Sequence, residues 1–131
     1  MAQEATGAGG VLAYAVVEWR SLAGGVGKLC VKESCRRRGL GERTLRTALR
    51  VLLRRRVSVC TLHVDPQRAA AVALYRKLGF VQDGEAVKDY YAPGRDAWRM
   101  ALEADIYKAR HPHWDADEGI EVLRAIVARR Q

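Results

Sequence analysis

The chain has 131 residues, of which 49% are hydrophobic and 29% charged, and it carries a formal net charge of +8. This length and composition indicate a single globular domain and exclude an intrinsically disordered chain. No apolar run approaches the roughly 20 residues of a membrane-spanning helix, and residues 1–10 lack the pattern of a secretion signal, so we expect neither a membrane protein nor a secreted one.

The number of cysteines and the net charge indicate the redox environment of the protein and the kind of partner it binds. Cys30, Cys35 and Cys60 are an odd number without a CxxC pair, so a disulfide scaffold or a four-thiolate zinc site is not expected. We expect reduced thiols and a cytoplasmic location. The basic excess indicates an anionic partner, and an acidic peptide, a phosphate-rich cofactor and nucleic acid all fit it.

In chain order, the glycine-rich residues 1–10 are expected to form a flexible N-terminus. Val11–Trp19 is rich in β-branched and aromatic residues and predicts a strand. Leu22–Gly27 contains three glycines and is typical of a turn, and Lys28–Lys32 predicts a short second strand.

A helix is predicted from Gly41 or Glu42 to Arg55, because apolar residues recur at helical spacing on one side and arginines on the other. The next elements are a strand at Val57–Val64, a helix at Gln67–Leu78 with Gly79 as its C-cap, and strands at Phe80–Val81 and Ala97–Leu102. A loop that contains Tyr90 and Tyr91 is expected between the last two strands.

Beyond residue 103 we expect a helical extension, 104–131, in which Asp115 or Asp117 caps a helix from Glu118 to Arg129. The apolar stripe of this helix can pack on the domain, dock a partner subunit or mediate self-association. The alternation of strands and helices over residues 11–103 predicts an α/β domain with some parallel pairing.

The segment Arg36-Arg37-Arg38-Gly39-Leu40-Gly41 lies between a predicted strand and a predicted helix. Glycines permit a sharp turn and the close approach of a ligand, and the free N–H groups at a helix N-terminus attract anions. The segment therefore predicts a cradle for a pyrophosphate, to which the arginines add charge. A basic turn before an ordinary helix has the same pattern, so these residues alone leave both interpretations open.

Three motifs in this order resemble the GNAT acetyltransferase superfamily. They are Arg36-x-x-Gly39-x-Gly41, then Leu62-His-Val64 with Tyr75-Arg-Lys-Leu-Gly-Phe80, then Asp89-Tyr-Tyr-Ala-Pro-Gly-Arg-Asp-Ala97 with Met100. The third motif is similar to the protein N-terminal acetyltransferases, which include the RimI-like enzymes and related eukaryotic catalytic subunits. The resemblance covers Val11–Leu102.

The resemblance implies a mixed α/β sheet of the GNAT type, with splayed parallel central strands at Lys28–Lys32 and Val57–Val64 and helices on its flanks. It also implies that the N-terminal strand and two helices of the family fold are missing here and that the C-terminal helix is extra. The implied activity of residues 11–103 is transfer of an acetyl group from acetyl-CoA to the α-amino group of a peptide or protein N-terminus, by direct attack on the thioester. No metal is implied.

By position, the resemblance assigns acetyl-CoA to Leu29, Cys30, Val31, Arg36, Arg37, Arg38, Gly39, Leu40, Gly41, Arg43, Arg68 and Tyr75. The strand residues would offer backbone hydrogen bonds to the pantetheine arm, and the turn residues would bind the pyrophosphate. Arg68 stands where many members have an asparagine, so it either reaches a phosphate or leaves that contact unmade.

The resemblance further implies that Tyr75 protonates the departing thiolate, that His63 takes a proton from the amine, and that Tyr90 and Tyr91 hold the peptide backbone. Each residue has a structural alternative. Tyr75 can simply be an aromatic residue of the core, and His63 can be a structural histidine whose hydrogen bonds are made within the strand region. Tyr90 and Tyr91 can be an exposed pair on a hairpin.

Three other functions stay open. A lysine or small-amine acetyltransferase is disfavoured, because deprotonating an α-amine near pH 7.5 costs under about 1 kcal/mol against about 4 kcal/mol for lysine, and the strand Lys28–Val31 has no carboxylate base. A non-catalytic member would bind the cofactor or a partner. A nucleic-acid surface on Arg36–Arg38 and Arg54–Arg56 is disfavoured because these rows lack interleaved aromatics.

Overall fold

The computed structural model describes residues 13–33, 39–116 and 125–127, the last three by their backbone. In chain order its elements are β1 (Ala13–Arg20), β2 (Ala23–Val31), α1 (Leu40–Arg54), β3 (Val59–Val64), α2 (Ala69–Leu78), β4 (Val81–Gln82), β5 (Val87–Ala92), β6 (Arg95–Glu103), α3 (Ala104–Arg110) and β7 (Ala125–Val127). The strands form one sheet in the order β4-β6-β3-β2-β1-β7, with β5 paired to β6. No helix in these ranges has the length and apolar character needed to cross a membrane.

The parallel central strands β2 and β3 pair over only part of their length. Their pairing ends at Val26 opposite Leu62, although β2 continues to Val31 and β3 to Val64. Beside this point the register between β1 and β2 shifts, and Gly27 is the extra residue of a β-bulge. The splayed central strands implied by the resemblance are therefore confirmed, and they leave a gap beyond their paired ends.

The two long helices pack on one face of this sheet. Alternate residues of β3 from Cys60 to Val64 are buried, whereas His63 between them lies on the other face. Leu52 of α1 packs so closely on β2 that a Cβ added to Gly24 would lie 3.1 Å from its Cδ2. Tyr75 of α2 joins the same hydrophobic core. The fold therefore places Tyr75 and His63 on opposite sides of the sheet.

Most elements inside residues 40–103 match their predictions. The helices predicted over 41–55 and 67–78 and the strands predicted over 57–64 and 97–102 are confirmed to within two residues at each end. Gly79 has the left-handed conformation expected of a C-cap glycine, with φ 108°. Strong helical periodicity and β-branched runs explain why these elements were readable.

The turn predicted at Leu22–Gly27 is wrong, because β2 already begins at Ala23. The reversal is confined to Ser21 and Leu22. The glycines lie in a strand that pairs with β1 on one edge and with β3 on the other. Backbone hydrogen bonds on both edges hold this segment extended despite its weak strand propensity.

The helix predicted from Glu118 to Arg129 is wrong where the structure describes it, because Ala125–Val127 form β7. This strand pairs in parallel with β1, Ala15 opposite Ala125. A short apolar run is ambiguous between helix and strand, and here an unpaired strand edge decides the outcome. Asp117 and the rest of that prediction lie outside the described residues.

Two other segments differ from expectation. The loop predicted around Tyr90 and Tyr91 is instead β5, which forms a hairpin with β6. The short helix α3 follows β6 directly and was not predicted as a separate element. The predictions that fall on residues 1–10 and on Arg36–Arg38 lie outside the described residues.

Candidate active site

A cleft of about 630 Å³ lies beside the end of β2 that continues past its pairing with β3. Its lining residues are Leu29, Cys30, Val31, Gly41, Arg68, Ala70, Ala71, Leu74 and Tyr75. The cleft thus brings together six residues that were assigned to acetyl-CoA: the three strand residues, Gly41, Arg68 and Tyr75. They come from β2, from the first turn of α1 and from the start and middle of α2. These elements meet where the parallel strands diverge.

The N-terminus of α1 opens onto this cleft. Gly39 is the N-cap residue at φ 75°, a left-handed conformation that favours glycine, and a Cβ there would meet no heavy atom within 4 Å. A Cβ on Gly41 would lie 3.7 Å from Leu74 and 3.8 Å from Val31. The backbone is therefore accessible at Gly39 and closely packed at Gly41, and the helix dipole makes this end attractive to an anion.

The other residues assigned to the turn differ in exposure. Leu40 is buried, so its side chain anchors the helix and only its backbone can serve a ligand. Arg43 is exposed, and its N–H donates to the Gly39 carbonyl at 3.1 Å. The guanidinium of Arg43 is therefore available at the helix start, whereas Arg36–Arg38 lie outside the described residues.

Tyr75 of α2 lines the cleft. Its side chain is 7% exposed, and its ring meets Phe80 edge-on at 6.0 Å between centroids. Burial raises the pKa of the Tyr75 phenol above its ordinary value, and the nearby charge of Arg68 only partly offsets this effect. The hydroxyl therefore stays protonated near neutral pH and can donate a proton or a hydrogen bond into the cleft.

His63 lies on the opposite face of the sheet from this cleft. Its ring stacks on Tyr90 of β5, with centroids 4.4 Å apart and an interplanar angle of 14°. Burial, and secondarily the positive charge of Arg99, lower the pKa of His63 below its ordinary value. The imidazole is therefore neutral near pH 7 and can accept a proton.

The hairpin tyrosines continue the surface that begins at His63. Tyr90 and Tyr91 are 48% and 45% exposed, and their rings meet nearly at right angles, 4.9 Å apart. Burial raises the pKa of Tyr91, and the charges of Tyr90, Asp65 and Tyr75 add to this shift. The structure thus brings Tyr90 together with His63, whereas Tyr91 packs against Tyr90 and is influenced electrostatically by Asp65 and Tyr75.

Two contacts at this site were missed by the sequence analysis. Asp65 forms an ion pair with Arg95 across the end of β3, 2.5 Å between Nη2 and Oδ2. Tyr14 lies opposite Cys30 on the neighbouring strand, and a hydrogen bond with Cys30 is the main cause that raises the pKa of the Tyr14 phenol. The Asp-Pro pair after the strand indicates a turn. However, Arg95 as the partner of Asp65 and Cys30 as the partner of Tyr14 could not be found without the strand register.

The arrangement combines the parts that an acyl transfer needs. A helix N-terminus can hold an anion, a protonated phenol faces the cleft and a neutral imidazole lies on the other side of diverging strands. A nucleophile can approach from the His63 side while an acyl donor lies in the cleft. Within the described ranges, no group of three or more His, Cys, Asp and Glu side chains could hold a metal ion.

Comparisons with known proteins agree with this geometry. The ribosomal-protein-S18-alanine N-acetyltransferase from Escherichia coli is 32% identical with a TM-score of 0.63, over 69% of this chain and 59% of that one. The NatC complex bound to Gag peptide and CoA is 25% identical with a TM-score of 0.58, over 62% and 50%. Ard1 from Thermoplasma volcanium has the same fold at 24% identity and a TM-score of 0.68, over 73% and 65%.

The chain therefore spans between 50% and 65% of the length of these three structures. No curated protein sequence matches it significantly. The family model described as "Acetyltransferase (GNAT) family" matches residues 5–80. Since that match covers more than half of the sequence and the central strands diverge as the family resemblance implied, the chain belongs to the GNAT family of acetyltransferases.

Proposed function

We propose that this protein transfers the acetyl group of acetyl-CoA to the α-amino group of a peptide or protein N-terminus. The observation that carries the proposal is the gap between β2 and β3, which separates a cleft containing Tyr75 from a surface containing His63 and Tyr90. The identity of 32% with an alanine N-acetyltransferase supports this choice of acceptor.

In this proposal acetyl-CoA would occupy the cleft from its phosphates to its thioester. The amides at Gly39–Gly41 and the charges of Arg36–Arg38, Arg43 and Arg68 would bind the pyrophosphate, since helix N-termini and guanidinium groups both favour phosphate. The pantetheine arm would follow Leu29–Val31, where β2 continues past its pairing with β3 and lines the same cleft. The thioester would then lie near Tyr75.

The reaction proposed for this site is direct attack of the neutral amine on the thioester carbon. The carbon–nitrogen bond forms, the carbon–sulfur bond breaks, His63 takes the proton released by the amine and Tyr75 gives a proton to the departing thiolate. An α-amine near pKa 7.7–8.0 is roughly one quarter to two fifths neutral at about pH 7.5, so a weak base is sufficient. The neutral imidazole of His63 matches that requirement.

A lysine or small-amine acetyltransferase is the second candidate. Spermidine N-acetyltransferases from Vibrio cholerae have the same fold, so the scaffold also serves small amines. Deprotonating a lysine amine near pH 7.5 costs about 4 kcal/mol, so that reaction would favour a stronger base than a histidine of lowered pKa. A non-catalytic binding module is the third candidate.

The test is calorimetric titration with acetyl-CoA, followed by thiol release on three acceptors: N-terminal peptides, an Nα-blocked lysine peptide and spermidine. We expect acetyl-CoA binding and turnover on N-terminal peptides only. The variant Tyr75→Phe should bind acetyl-CoA normally and lose about tenfold or more in kcat, because it removes only the phenolic proton.

Each other outcome selects another candidate. Faster turnover of the blocked lysine peptide or of spermidine would transfer the assignment to that amine. Acetyl-CoA binding without turnover on any acceptor would indicate the non-catalytic module. A chain that does not bind acetyl-CoA would overturn the assignment of the cleft.

A further inference from the structure

The carboxylate of Asp65 lies two residues after His63, immediately beyond the end of β3, and its side chain is only 8% exposed. Its two oxygens have separate partners. Oδ1 accepts a hydrogen bond from the Gln67 N–H at 2.9 Å. Oδ2 accepts from Arg95 Nε at 3.2 Å and from Nη2 at 2.5 Å.

Arg95 begins β6 at the point where the hairpin extends past the main sheet. The ladder between β3 and β6 ends at Val64 opposite Trp98, so residues 87–97 have no β3 backbone to pair with. All six residues of β5 are exposed. Within the part of the chain that the structure describes, the Asp65–Arg95 pair and the stack of Tyr90 on His63 join this hairpin to the end of β3.

The hairpin itself is internally tied, so it can be held as a unit. Asp89 Oδ1 accepts from the Gly94 N–H at 2.7 Å, and the Asp89 N–H donates to Asp96 Oδ1 at 2.9 Å. Asp89 has φ 54°, a left-handed conformation that these two bonds support. A single anchor at Arg95 can therefore orient both tyrosines.

We propose that the Asp65–Arg95 pair positions the acceptor side of the site by holding the β5–β6 hairpin against the end of β3, so that Tyr90 stays stacked on His63. The effect of this pair on catalysis rests on the function proposed above. In this proposal Asp65 and Arg95 are positioning residues, since they act on the acceptor side through the hairpin.

The backbone and side chain of Asp65 also shape the other side of the site. The Arg68 N–H donates to the Asp65 carbonyl at 2.9 Å, and the Gln67 N–H donates to the Asp65 side chain. These bonds set the turn that begins α2, which carries Arg68 and Tyr75 in the cleft. Asp65 therefore links the element that carries the phenol to the hairpin that covers the imidazole.

The pair stays charged throughout the working pH range. The Gln67 N–H, and then the Arg95 guanidinium, hold the pKa of Asp65 below its usual value. A nearly buried carboxylate that loses its cation also loses most of the compensation for its desolvation. Removing the charge of Asp65 or of Arg95 should therefore detach the hairpin from the end of β3 instead of only weakening the ion pair.

The variant Asp65→Asn tests this most directly, because its amide oxygen can still accept from Gln67 while the charge that binds Arg95 is gone. Arg95→Gln removes the other partner, and Arg95→Lys keeps the charge without the two-donor fork. Arg54→Gln is the matched control. Arg54 pairs with Asp115 on the outer face of α1, and its side chain is 55% exposed, as is that of Arg95.

The first measurement is the NMR titration of the His63 ring without any substrate. The groups facing His63 are the Tyr90 phenol from β5 and Arg99 from β6, and Arg99 is itself 3.6 Å from Asp83. In Asp65→Asn and Arg95→Gln we expect the ring-current shift from Tyr90 to be lost and the pKa of His63 to rise toward its ordinary value. Arg54→Gln should leave both unchanged.

The second measurement is steady-state kinetics with calorimetry. In Asp65→Asn and Arg95→Gln the peptide KM should rise about tenfold while the acetyl-CoA Kd changes less than about twofold. The double variant should be no worse than either single variant, since the two residues form one contact. Arg95→Lys should recover part of the loss.

Two results would overturn the proposal: an unchanged His63 ring-current shift in both single variants, or additive losses in the double variant. If the wild-type protein does not turn over any N-terminal peptide, the proposed function fails. The NMR measurement still decides whether the pair positions the hairpin, because it needs no substrate.

Discussion

At the scale of single residues, the proposed mechanism assigns proton transfers to two groups whose protonation is set by their surroundings. Burial keeps the Tyr75 phenol protonated and, with Arg99, keeps the His63 imidazole neutral. These are the states that a proton donor to a thiolate and a proton acceptor from an amine require. Motif positions could predict both residues, but the stacking of Tyr90 on His63 depends on a hairpin that the sequence analysis treated as a loop.

His63 should determine how the rate of transfer falls on the acid side. The pKa of His63 lies below its ordinary value, so the imidazole is neutral near pH 7 and becomes protonated only as the pH falls through that lowered value. Arg99→Gln removes a nearby positive charge, so the pKa of His63 should rise and the loss of kcat should begin at a higher pH. The measurement is kcat against pH on a saturating N-terminal peptide.

His63→Gln is the companion variant for this profile. We expect kcat to fall by about two orders of magnitude, the usual contribution of a general base, and the acid limb assigned to His63 to disappear. The separate ionisation of the α-amine should remain visible in kcat/KM. A profile identical to that of the wild type would exclude His63 as the base.

At the scale of elements, the glycine-rich strand β2 shows where sequence patterns stop being informative. Its three glycines favour a turn by local propensity, yet the strand is held between β1 and β3. Each glycine has a different neighbourhood. Gly24 lies under Leu52 and Val57, whereas a Cβ on Gly27 would meet only the Val16 carbonyl at 3.8 Å.

This difference predicts that the same substitution destabilises the protein at one position of β2 and has little effect at another. Gly24→Val should lower the free energy of unfolding by about 1–3 kcal/mol, because its Cβ would lie 3.1–3.3 Å from the Leu52 and Val57 side chains. Gly27→Val should change it by less than about 0.5 kcal/mol, since that position is exposed. Urea unfolding of both variants measures this, and equal destabilisation would refute the packing argument.

At the scale of the whole molecule, features set by local sequence patterns could be predicted, whereas features set by contacts between distant segments could not. Local periodicity and motif spacing were sufficient for α1, α2, β3 and β6 and for six residues of the cleft. Features that depend on long-range pairing were not readable. They include β7 against β1 and the ion pair between Asp65 and Arg95, whose partners are 30 positions apart.

The proposed binding of acetyl-CoA in the cleft should also raise the stability of the whole domain, because the cleft lining comes from β2, α1 and α2 at once. A ligand at about 100 times its Kd stabilises the folded state by about 2.7 kcal/mol. For a chain of 131 residues this should raise the Tm by on the order of 10 °C. Thermal unfolding followed by circular dichroism, with and without CoA, measures the shift.

Pantetheine separates the contribution of the phosphates from that of the arm. It can contact the Leu29–Val31 backbone but has nothing to offer the N-terminus of α1 or the arginines near it. At the same concentration it should therefore raise the Tm much less than CoA does, and added salt should weaken the CoA effect more than the pantetheine effect, because screening acts on charge. Equal shifts with the two ligands would mean that the helix N-terminus does not bind phosphate, and the assignment of Gly39–Gly41 would have to be given up.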